Sequence, residues 1–277
     1  MSPFWAGVTR TRHTRPGVVA AMRRMQYRMI FAGALALVLL IGAIGAWLSR
    51  PAPTPPGPTL RGLTWILEDQ LLLAPDPGSD SAATSDPGTA PRIDVDEVRE
   101  MLAAIPAATT TLDDYDRDAF GKPWADMDRN GCDTRNDILR RDLADPRMTS
   151  GSWCTVASGV LDDPYTGSTI DFVRGEETSP LVQIDHIVPL AWAWRNGAGD
   201  WDTVTRLAFA NDPVELVAVD GEANNAKADD GPAGWLPPDA DSQCAYVAVF
   251  TLVVARYELS IDDADRAAIS RTLDTCP

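Results

Sequence analysis

The stretch that decides the fold, residues 183–190, reads Gln-Ile-Asp-His-Ile-Val-Pro-Leu. It places the pair Asp185-His186 inside an apolar, β-branched run of the kind that forms a buried strand. The chain has only two histidines, and the other one lies near the N-terminus. A neutral imidazole is the usual general base because its unperturbed pKa is about 6.5. A carboxylate beside it can hold a hard divalent cation. The pair therefore indicates a catalytic site, although alone it is also typical of a surface Asp and a structural His.

The two side chains can serve one site only if the strand stops beside them. Neighbouring side chains on a strand point to opposite faces. Pro189 removes a backbone donor and gives the strand a reason to end. We therefore expect a strand over residues 181–188 that delivers the pair at its end.

The pattern that follows is insertion, strand and helix. Residues 191–209 predict two short helices, and Asn211 lies just before a second strand over residues 214–219. The polar helix after that strand carries Asn224 and Lys227. The central order is thus a strand with Asp-His, a long insertion, a strand, and a helix with Asn-x-x-Lys.

Flanking segments predict helices and a hairpin around this unit. Apolar residues recur with helical spacing, and Pro and Gly separate two β-rich runs. The predicted helices cover residues 93–105, 133–143, 244–257 and 261–273, and the predicted hairpin strands cover residues 154–161 and 169–173. The fold class is therefore α+β, a small mixed domain. In the helix over residues 133–143, Arg135 is a candidate phosphate contact.

The N-terminal third lacks the pattern of a folded core. Residues 1–28 are basic, and residues 29–48 form an uncharged apolar run. Twenty helical residues span about 30 Å, so this run predicts a single transmembrane helix, with the N-terminus cytoplasmic and the bulk of the chain outside. Residues 49–91, rich in Pro, Gly, Ser and Asp, predict a disordered linker. The folded domain is expected over residues 92–277, anchored at the cell membrane, or secreted if the apolar run is a cleaved signal peptide.

The charge distribution argues against broad adhesion to nucleic acid. Seven of the 24 basic residues and none of the 40 acidic residues lie in residues 1–50. The other 227 residues therefore carry 17 basic and 40 acidic groups, a net charge of −23. Salt-driven adhesion to nucleic acid needs a basic surface. A local site whose metal ion neutralises its acidic surroundings stays compatible with this balance.

Four cysteines, all after residue 130, indicate disulfides. No C-x-x-C spacing occurs, which makes a zinc knuckle improbable. An even number of cysteines in an exported domain suggests two bridges, with three possible connectivities. We favour Cys132–Cys154 and Cys244–Cys276, because these pairings close the shorter loops.

The central order resembles the His-Asn-His (HNH) endonucleases, which share the ββα-metal motif. The resemblance rests on Asp185-His186-Ile187-Val188-Pro189, Asn211, Leu216 and Asn224-x-x-Lys227. A wider stretch is similar to an exported, membrane-anchored branch of these nucleases found in actinobacteria. It includes Tyr115-Asp116-Arg117, residues 131–139, Asp163-Pro164-Tyr165-Thr166-Gly167 and Trp235-Leu236-Pro237-Pro238. The resemblance covers about residues 93–277 and implies a ββα-metal motif embedded in the mixed domain.

The resemblance implies a role for each matching residue. Asp185 and Asn224 correspond to metal ligands, and His186 corresponds to the general base. Asn211 corresponds to the middle residue, whose side chain or backbone orients the imidazole. Where the family often has this Asn directly before the Leu of the strand, the chain has Glu215. Lys227 is expected to steady the helix or to contact a phosphate of the substrate.

These residues together predict a metal-dependent endonuclease that cuts DNA, and RNA as a second possibility. The expected cofactor is a divalent metal ion, Mg²⁺ first and Mn²⁺ second, because two oxygen ligands leave most of an octahedral shell to water and phosphate. The predicted partners are a nucleic acid and, through the apolar helix, the membrane. Two alternatives stay open: a non-catalytic surface binding protein with a degenerate HNH fold, and a hydrolase of another phosphodiester.

Overall fold

The computed structural model describes residues 93–109 and 114–277. The segments predicted over residues 1–28, 29–48 and 49–91 lie outside the described residues. The described part is a mixed α+β structure, and its first helix, α1, spans Val95–Ala104.

The predicted fold class is wrong in one respect. Across the described ranges, the structure contains no helix that is long and apolar enough to cross a membrane. The apolar run over residues 29–48, on which that prediction rested, is not among these residues. The described residues form a mixed α+β fold, and the predicted transmembrane helix is not part of it.

Further helices and strands alternate along the rest of the described chain. The helices are α2 (Thr134–Asp142), α3 (Leu190–Arg195), α4 (Thr203–Phe209), α5 (Gly221–Lys227), α6 (Ala240–Arg256) and α7 (Asp263–Leu273). The strands are β1 (Ala144–Met148), β2 (Val156–Asp162), β3 (Thr169–Val173), β4 (Val182–His186) and β5 (Leu216–Asp220). Short 3-10 turns lie at Arg117–Phe120, Ser179–Leu181 and Ala198–Asp200.

Two antiparallel sheets organise the described strands. One has the order β1-β2-β3, and its β2-β3 pair is the predicted hairpin. The sequence did not predict β1, since its five residues include an Asp and a Pro, which strands disfavour. Asp145 has a positive φ of 48°, and the register of β1 against β2 is irregular. An edge position tolerates both features.

The second sheet, β4-β5, forms the ββα unit together with α5. Val182 pairs with Asp220 at one end of the sheet, and His186 pairs with Leu216 at the other. The Asp220 carboxylate then accepts a hydrogen bond from the Ala223 amide at 2.8 Å and caps the N-terminus of α5. This is the strand, strand and helix order expected from the sequence.

The β4-β5 sheet separates two apolar clusters. On one face, Ile184, Leu216 and Ala218 pack with α2 and the three-stranded sheet. On the other face, Val217 and Val219 pack with the larger cluster around α6. Because β5 is buried on both faces, its residues form an unbroken apolar run rather than an alternating one.

Side chains of helix α2 form hydrogen bonds with the backbone groups along the free edge of β5. The Asp142 carboxylate is buried and accepts a hydrogen bond from the Ala218 amide at 2.8 Å. The Arg141 guanidinium donates to the Leu216 carbonyl at 2.7 Å. A sheet edge otherwise leaves backbone groups unpaired, so these two side chains take the place of a third strand.

Replacing the buried carboxylate should therefore weaken the fold. We expect Asp142→Ala to lower the free energy of unfolding by about 1–3 kcal/mol, because the Ala218 amide loses its acceptor inside the protein. Urea unfolding followed by circular dichroism measures this. Asp142→Asn keeps an acceptor oxygen and should lose less stability than Asp142→Ala. Asp171→Ala, at an exposed position of β3, is the matched control. Equal losses in Asp142→Ala and Asp171→Ala would contradict the proposed edge contact.

Both predicted disulfides are confirmed. Cys132 is bonded to Cys154, and Cys244 is bonded to Cys276, with no free cysteine left in the described residues. The first bridge ties the start of α2 to the segment before β2, and the second ties α6 to the end of α7. By the chain-entropy estimate, loops of this length contribute about 3–4 kcal/mol each.

Candidate active site

The end of β4 opens into a cleft of about 610 Å³. Asp185 and His186 both line this cleft, together with Asn224 from α5 and Arg135 from α2. The structure therefore brings together four of the residues that the sequence singled out. Adjacent strand residues share the cleft because β4 ends at His186, as Pro189 indicated.

A backbone carbonyl fixes the tautomer of His186. Its Nε2 lies 3.0 Å from the carbonyl oxygen of Ala210. A carbonyl only accepts hydrogen bonds, so Nε2 carries the proton and Nδ1 is left as the basic nitrogen. The indole of Trp124 lies beside the imidazole, with 6.3 Å between ring centroids and 18° between planes. The ring is thus held in one orientation.

Burial keeps this imidazole neutral. Desolvation lowers the pKa of His186 to about 4, against the smaller opposing effects of the Ala210 hydrogen bond and the Asp185 charge. The positive charges of Arg117 and Lys227 also lower this pKa. A base that is neutral at ordinary pH is ready to accept a proton.

The lowered pKa of His186 also predicts how stability depends on pH. In the unfolded chain the imidazole has its ordinary pKa of about 6.5. Between that pH and about 4, the unfolded state binds a proton that the folded state does not. The contribution of His186 to the free energy of unfolding is therefore complete above pH ~6.5. It is lost as the pH falls toward the pKa that His186 has in the folded protein.

This prediction is tested by unfolding in urea between pH 7 and pH 4, in EDTA. We expect the wild type to lose more stability over this range than His186→Asn, which cannot titrate there. The difference between the two proteins isolates the imidazole from the many carboxylates. Parallel pH profiles would show that the imidazole titrates normally in the folded protein.

Asn211 lies near the imidazole but does not contact it through its side chain. Its Oδ1 accepts a hydrogen bond from the Ala125 amide at 2.9 Å, and its Nδ2 donates to the Leu207 carbonyl at 2.9 Å. The sequence left open whether the side chain or the backbone at this point orients the ring. The contact comes from the carbonyl of the preceding residue, Ala210, and Asn211 instead holds the turn that carries Trp124.

Asp185 is engaged by two buried groups. The Tyr165 hydroxyl donates to its Oδ2 at 2.5 Å, and the Lys227 ammonium lies 2.8 Å from the same oxygen. Lys227 is fully buried and also donates to the His186 carbonyl at 2.7 Å. Of the two roles expected for Lys227, steadying α5 against β4 fits this position, and a phosphate contact does not.

Tyr165 and Glu215 are neighbours that the sequence did not assign to the site. The β2-β3 loop carries Tyr165, and Asp163 of that loop accepts a hydrogen bond from the Asp220 amide at 2.9 Å, which docks the loop against α5. Glu215 is fully buried and accepts from the Val188 amide at 3.1 Å. Burial raises the pKa of Glu215 well above its usual range and favours its neutral form. The D-P-Y-T-G loop motif was the available signal for Tyr165.

The donor atoms in the cleft fit a hard cation. Asp185 and Asn224 offer oxygen ligands in one cavity, and the amide nitrogen of Asn224 is turned toward Gln183 at 2.9 Å. Mg²⁺ prefers oxygen ligands and keeps several waters. Within the described residues no group of three or more His, Cys, Asp or Glu side chains could hold a metal. A cation here would therefore depend on Asp185, Asn224, water and the substrate.

Two arginines, Arg117 and Arg135, and two carboxylates line the cleft. Its two carboxylates are each paired with a cation, Asp185 with Lys227 at 2.8 Å and Asp229 with Arg195 at 2.8 Å. Arg135 donates to the Val182 carbonyl at 3.2 Å. Burial and the nearby charge of Arg174 lower the pKa of Arg135. Counted together with Lys227 and Arg195, the cleft has two more basic than acidic groups.

Comparison with known proteins identifies a family and a relative. The family described as "GmrSD restriction endonucleases, C-terminal domain" matches residues 133–271. A protein of Arthroderma benhamiae, described as an uncharacterized secreted protein, is 38% identical over 166 residues, which cover 59% of this chain and 76% of that protein. No solved structure matches. The family match includes β4, β5 and α5, and therefore His186, Asp185 and Asn224.

The predicted location needs a correction. The sequence predicted a single-pass protein of the cell membrane, with the membrane as a partner. The relative is described as secreted, which fits an extracellular protein rather than a single-pass one. Together with the finding that no described helix is long and apolar enough to cross a bilayer, this removes the support for a membrane anchor.

Proposed function

The chain belongs to the family of GmrSD restriction endonuclease C-terminal domains, and from that premise we propose that it is an endonuclease of the HNH type. It hydrolyses phosphodiester bonds of DNA, with RNA as a second candidate substrate. The observation that carries the proposal is the imidazole of His186, held as a neutral base in a cleft that Arg135 also lines. The order of β4, β5 and α5 supports the HNH type.

His186 acts as the general base. Its Nδ1 accepts a proton from a water molecule in the cleft while that water attacks phosphorus. The Ala210 carbonyl holds the opposite nitrogen at 3.0 Å and stabilises the imidazolium that forms. Proton transfer to a positioned base contributes about 10²–10⁴-fold to the rate.

Asp185 and Asn224 would hold a divalent cation, with Mg²⁺ the best fit to two oxygen ligands. Such a cation, when bound, polarises a phosphoryl oxygen and stabilises the departing 3′-oxygen. Tyr165 and Lys227 hold the Asp185 carboxylate in place. Because Lys227 already neutralises much of that carboxylate, we expect the cation to be held weakly without substrate.

Arg135 contacts a phosphate of the substrate. Its guanidinium lies at the start of β4, inside the same cleft as His186. An arginine offers several donors in a planar fork that matches a phosphate. The location we propose is extracellular, since two disulfides persist in oxidising surroundings and the relative is described as secreted. Membership of an actinobacterial branch stays a prediction from the sequence.

The test is cleavage of plasmid and single-stranded DNA by the purified, disulfide-bonded protein. We expect cleavage with Mg²⁺ or Mn²⁺ and none with EDTA. Single-stranded RNA, run in parallel, decides the second candidate substrate. No cleavage with any metal, from a sample shown to be folded, would favour the non-catalytic binding protein, the alternative that the net charge of −23 in residues 51–277 supports.

A further inference from the structure

A second arginine, Arg117, lines the cleft beside His186 and has no role so far. It lies outside the residues matched by the family, in the 3-10 turn Arg117–Phe120. It is exposed, and its guanidinium lies on the wall of the cleft that also includes Tyr115 and Trp124. The Tyr-Asp-Arg motif that contains Arg117 contributed to the sequence resemblance without an assigned function.

The turn that carries Arg117 is firmly anchored. Phe120 is buried in the larger apolar cluster, with its ring centroid 6.2 Å from that of Phe209. Arg206 donates to the Ala119 carbonyl at 3.0 Å. The backbone of Arg117 is therefore held in place beside the cleft that this residue lines.

The positive charge of the cleft comes from two arginines. Neither Arg117 nor Arg135 forms an ion pair with a carboxylate of the described residues, whereas both carboxylates of the cleft do. In a protein of net charge −16, two such cations in one cavity mark where an anion binds.

The two arginines lie at opposite ends of β4. Arg135 is bonded to the carbonyl of Val182, the first residue of the strand. The turn that carries Arg117 packs on Phe209, which directly precedes the Ala210 carbonyl in contact with His186, the last residue of the strand. A strand of five residues spans roughly 13 Å. One strand of B-DNA rises by about 3.4 Å per phosphate. The points at which the two arginines are anchored are therefore farther apart than neighbouring phosphates of one strand, which favours a separate phosphate for each arginine.

We infer that the cleft binds two separate phosphates of one nucleic-acid strand, with Arg117 on the scissile phosphate beside His186 and Arg135 on a flanking phosphate. This inference rests on the proposed nuclease function and deepens it. The substrate is then an oligonucleotide rather than a small phosphodiester. Arg117 stabilises the negative charge that develops on the scissile phosphate as water attacks, and Arg135 positions the strand.

Binding without catalysis tests the first part. The probe is a fluorescent single-stranded DNA 12-mer, titrated in EDTA over a series of salt concentrations. Each lost phosphate contact should flatten the slope of log K against log salt by about 0.7. We expect this change in Arg117→Ala and in Arg135→Ala. Arg147→Ala, an exposed arginine of β1 outside the cleft, is the matched control and should keep the wild-type slope.

Cleavage kinetics separate the two roles. Arg117→Ala should lower kcat by about 10²–10³-fold, the usual loss when one donor to the developing charge is removed, on both DNA and the small diester bis(p-nitrophenyl) phosphate. Arg117→Lys should recover part of it. Arg135→Ala should mainly raise KM, and more for the oligonucleotide than for the small diester.

The outcomes distinguish a failure of the two-phosphate inference from a failure of the proposed nuclease function. If the wild type cuts DNA through His186 but Arg117→Ala keeps its salt slope and its kcat, the assignment of Arg117 is overturned and the nuclease stands. If the KM of Arg135→Ala rises equally for the oligonucleotide and the small diester, the two-phosphate arrangement is overturned. A wild type that neither binds nor cuts nucleic acid overturns the proposed function itself.

Discussion

Replacing His186 by alanine should reduce DNA cleavage by about 10²–10⁴-fold, since the attacking water then loses its base. Metal affinity should be retained, because neither proposed cation ligand is changed. Single-turnover cleavage of a defined duplex at saturating Mg²⁺ measures the first effect, and titration calorimetry measures the second. The variant loses the imidazole and its one hydrogen bond, to the Ala210 carbonyl, so it is expected to fold.

The matched comparison is Asn211→Ala, which removes no group that touches the imidazole. Because Asn211 holds the Ala125 amide at 2.9 Å, this change should loosen the turn beside His186 and lower kcat less than His186→Ala does. Cleavage at the wild-type rate by a folded His186→Ala protein would contradict the assignment of His186 as the general base.

The second large effect concerns stability. Replacing Lys227 by methionine should lower the free energy of unfolding by about 3–5 kcal/mol, the usual cost of leaving one member of a buried ion pair without its partner. Asp185 is then left buried, with Tyr165 as its remaining close partner. Added Mg²⁺ should restore part of the lost stability in Lys227→Met, because a cation that binds only the folded state stabilises it.

Two further variants make this measurement interpretable. Lys122→Met changes the only other lysine of the chain, at an exposed position, and should leave the unfolding midpoint nearly unchanged. The double variant Asp185→Asn, Lys227→Met removes both charges and should be more stable than Lys227→Met alone. A Lys227→Met protein as stable as the wild type would mean that the ion pair contributes little.

The ion pair also affects how Asp185 variants are read. Asp185→Ala should lose both cleavage and metal affinity, but it also leaves the buried ammonium of Lys227 uncompensated. The loss of activity in Asp185→Ala is therefore evidence for a role in cleavage only when the fraction of folded protein has been measured in the same sample.

The sequence predicted the parts of the fold that repeat a simple pattern. The period of apolar residues placed β4, β5 and the helices around them, and Pro189 indicated the end of β4, which lies two residues before the end of the predicted strand. Loop length selected both disulfides. It did not predict β1, because an edge strand with an irregular register tolerates residues that propensity assigns to loops. The apolar run over residues 29–48 suggested a membrane helix, which the structure and the secreted relative do not support.

The site was harder to predict because several of its contacts are not encoded by residue type. The carbonyl that orients His186 belongs to Ala210, whose side chain gives no signal. Lys227 and Glu215 are charged residues of a kind that is usually exposed, and their burial depends on partners that only the tertiary structure brings together. Sequence analysis therefore found the groups proposed for the chemistry, but it could not find what holds them.

The hydrogen bonds that hold His186 and its neighbours join distant parts of the chain. Ala125 and Asn211 are 86 positions apart, Lys227 and Asp185 are 42 apart, and Ala210 and His186 are 24 apart. Contacts of long sequence separation form late, because the intervening chain must first be ordered. A chain that is still being made therefore has His186 without the groups that orient it. The cell that makes this protein would be protected from its activity until the domain has folded, and during refolding, cleavage should return only after the secondary structure has.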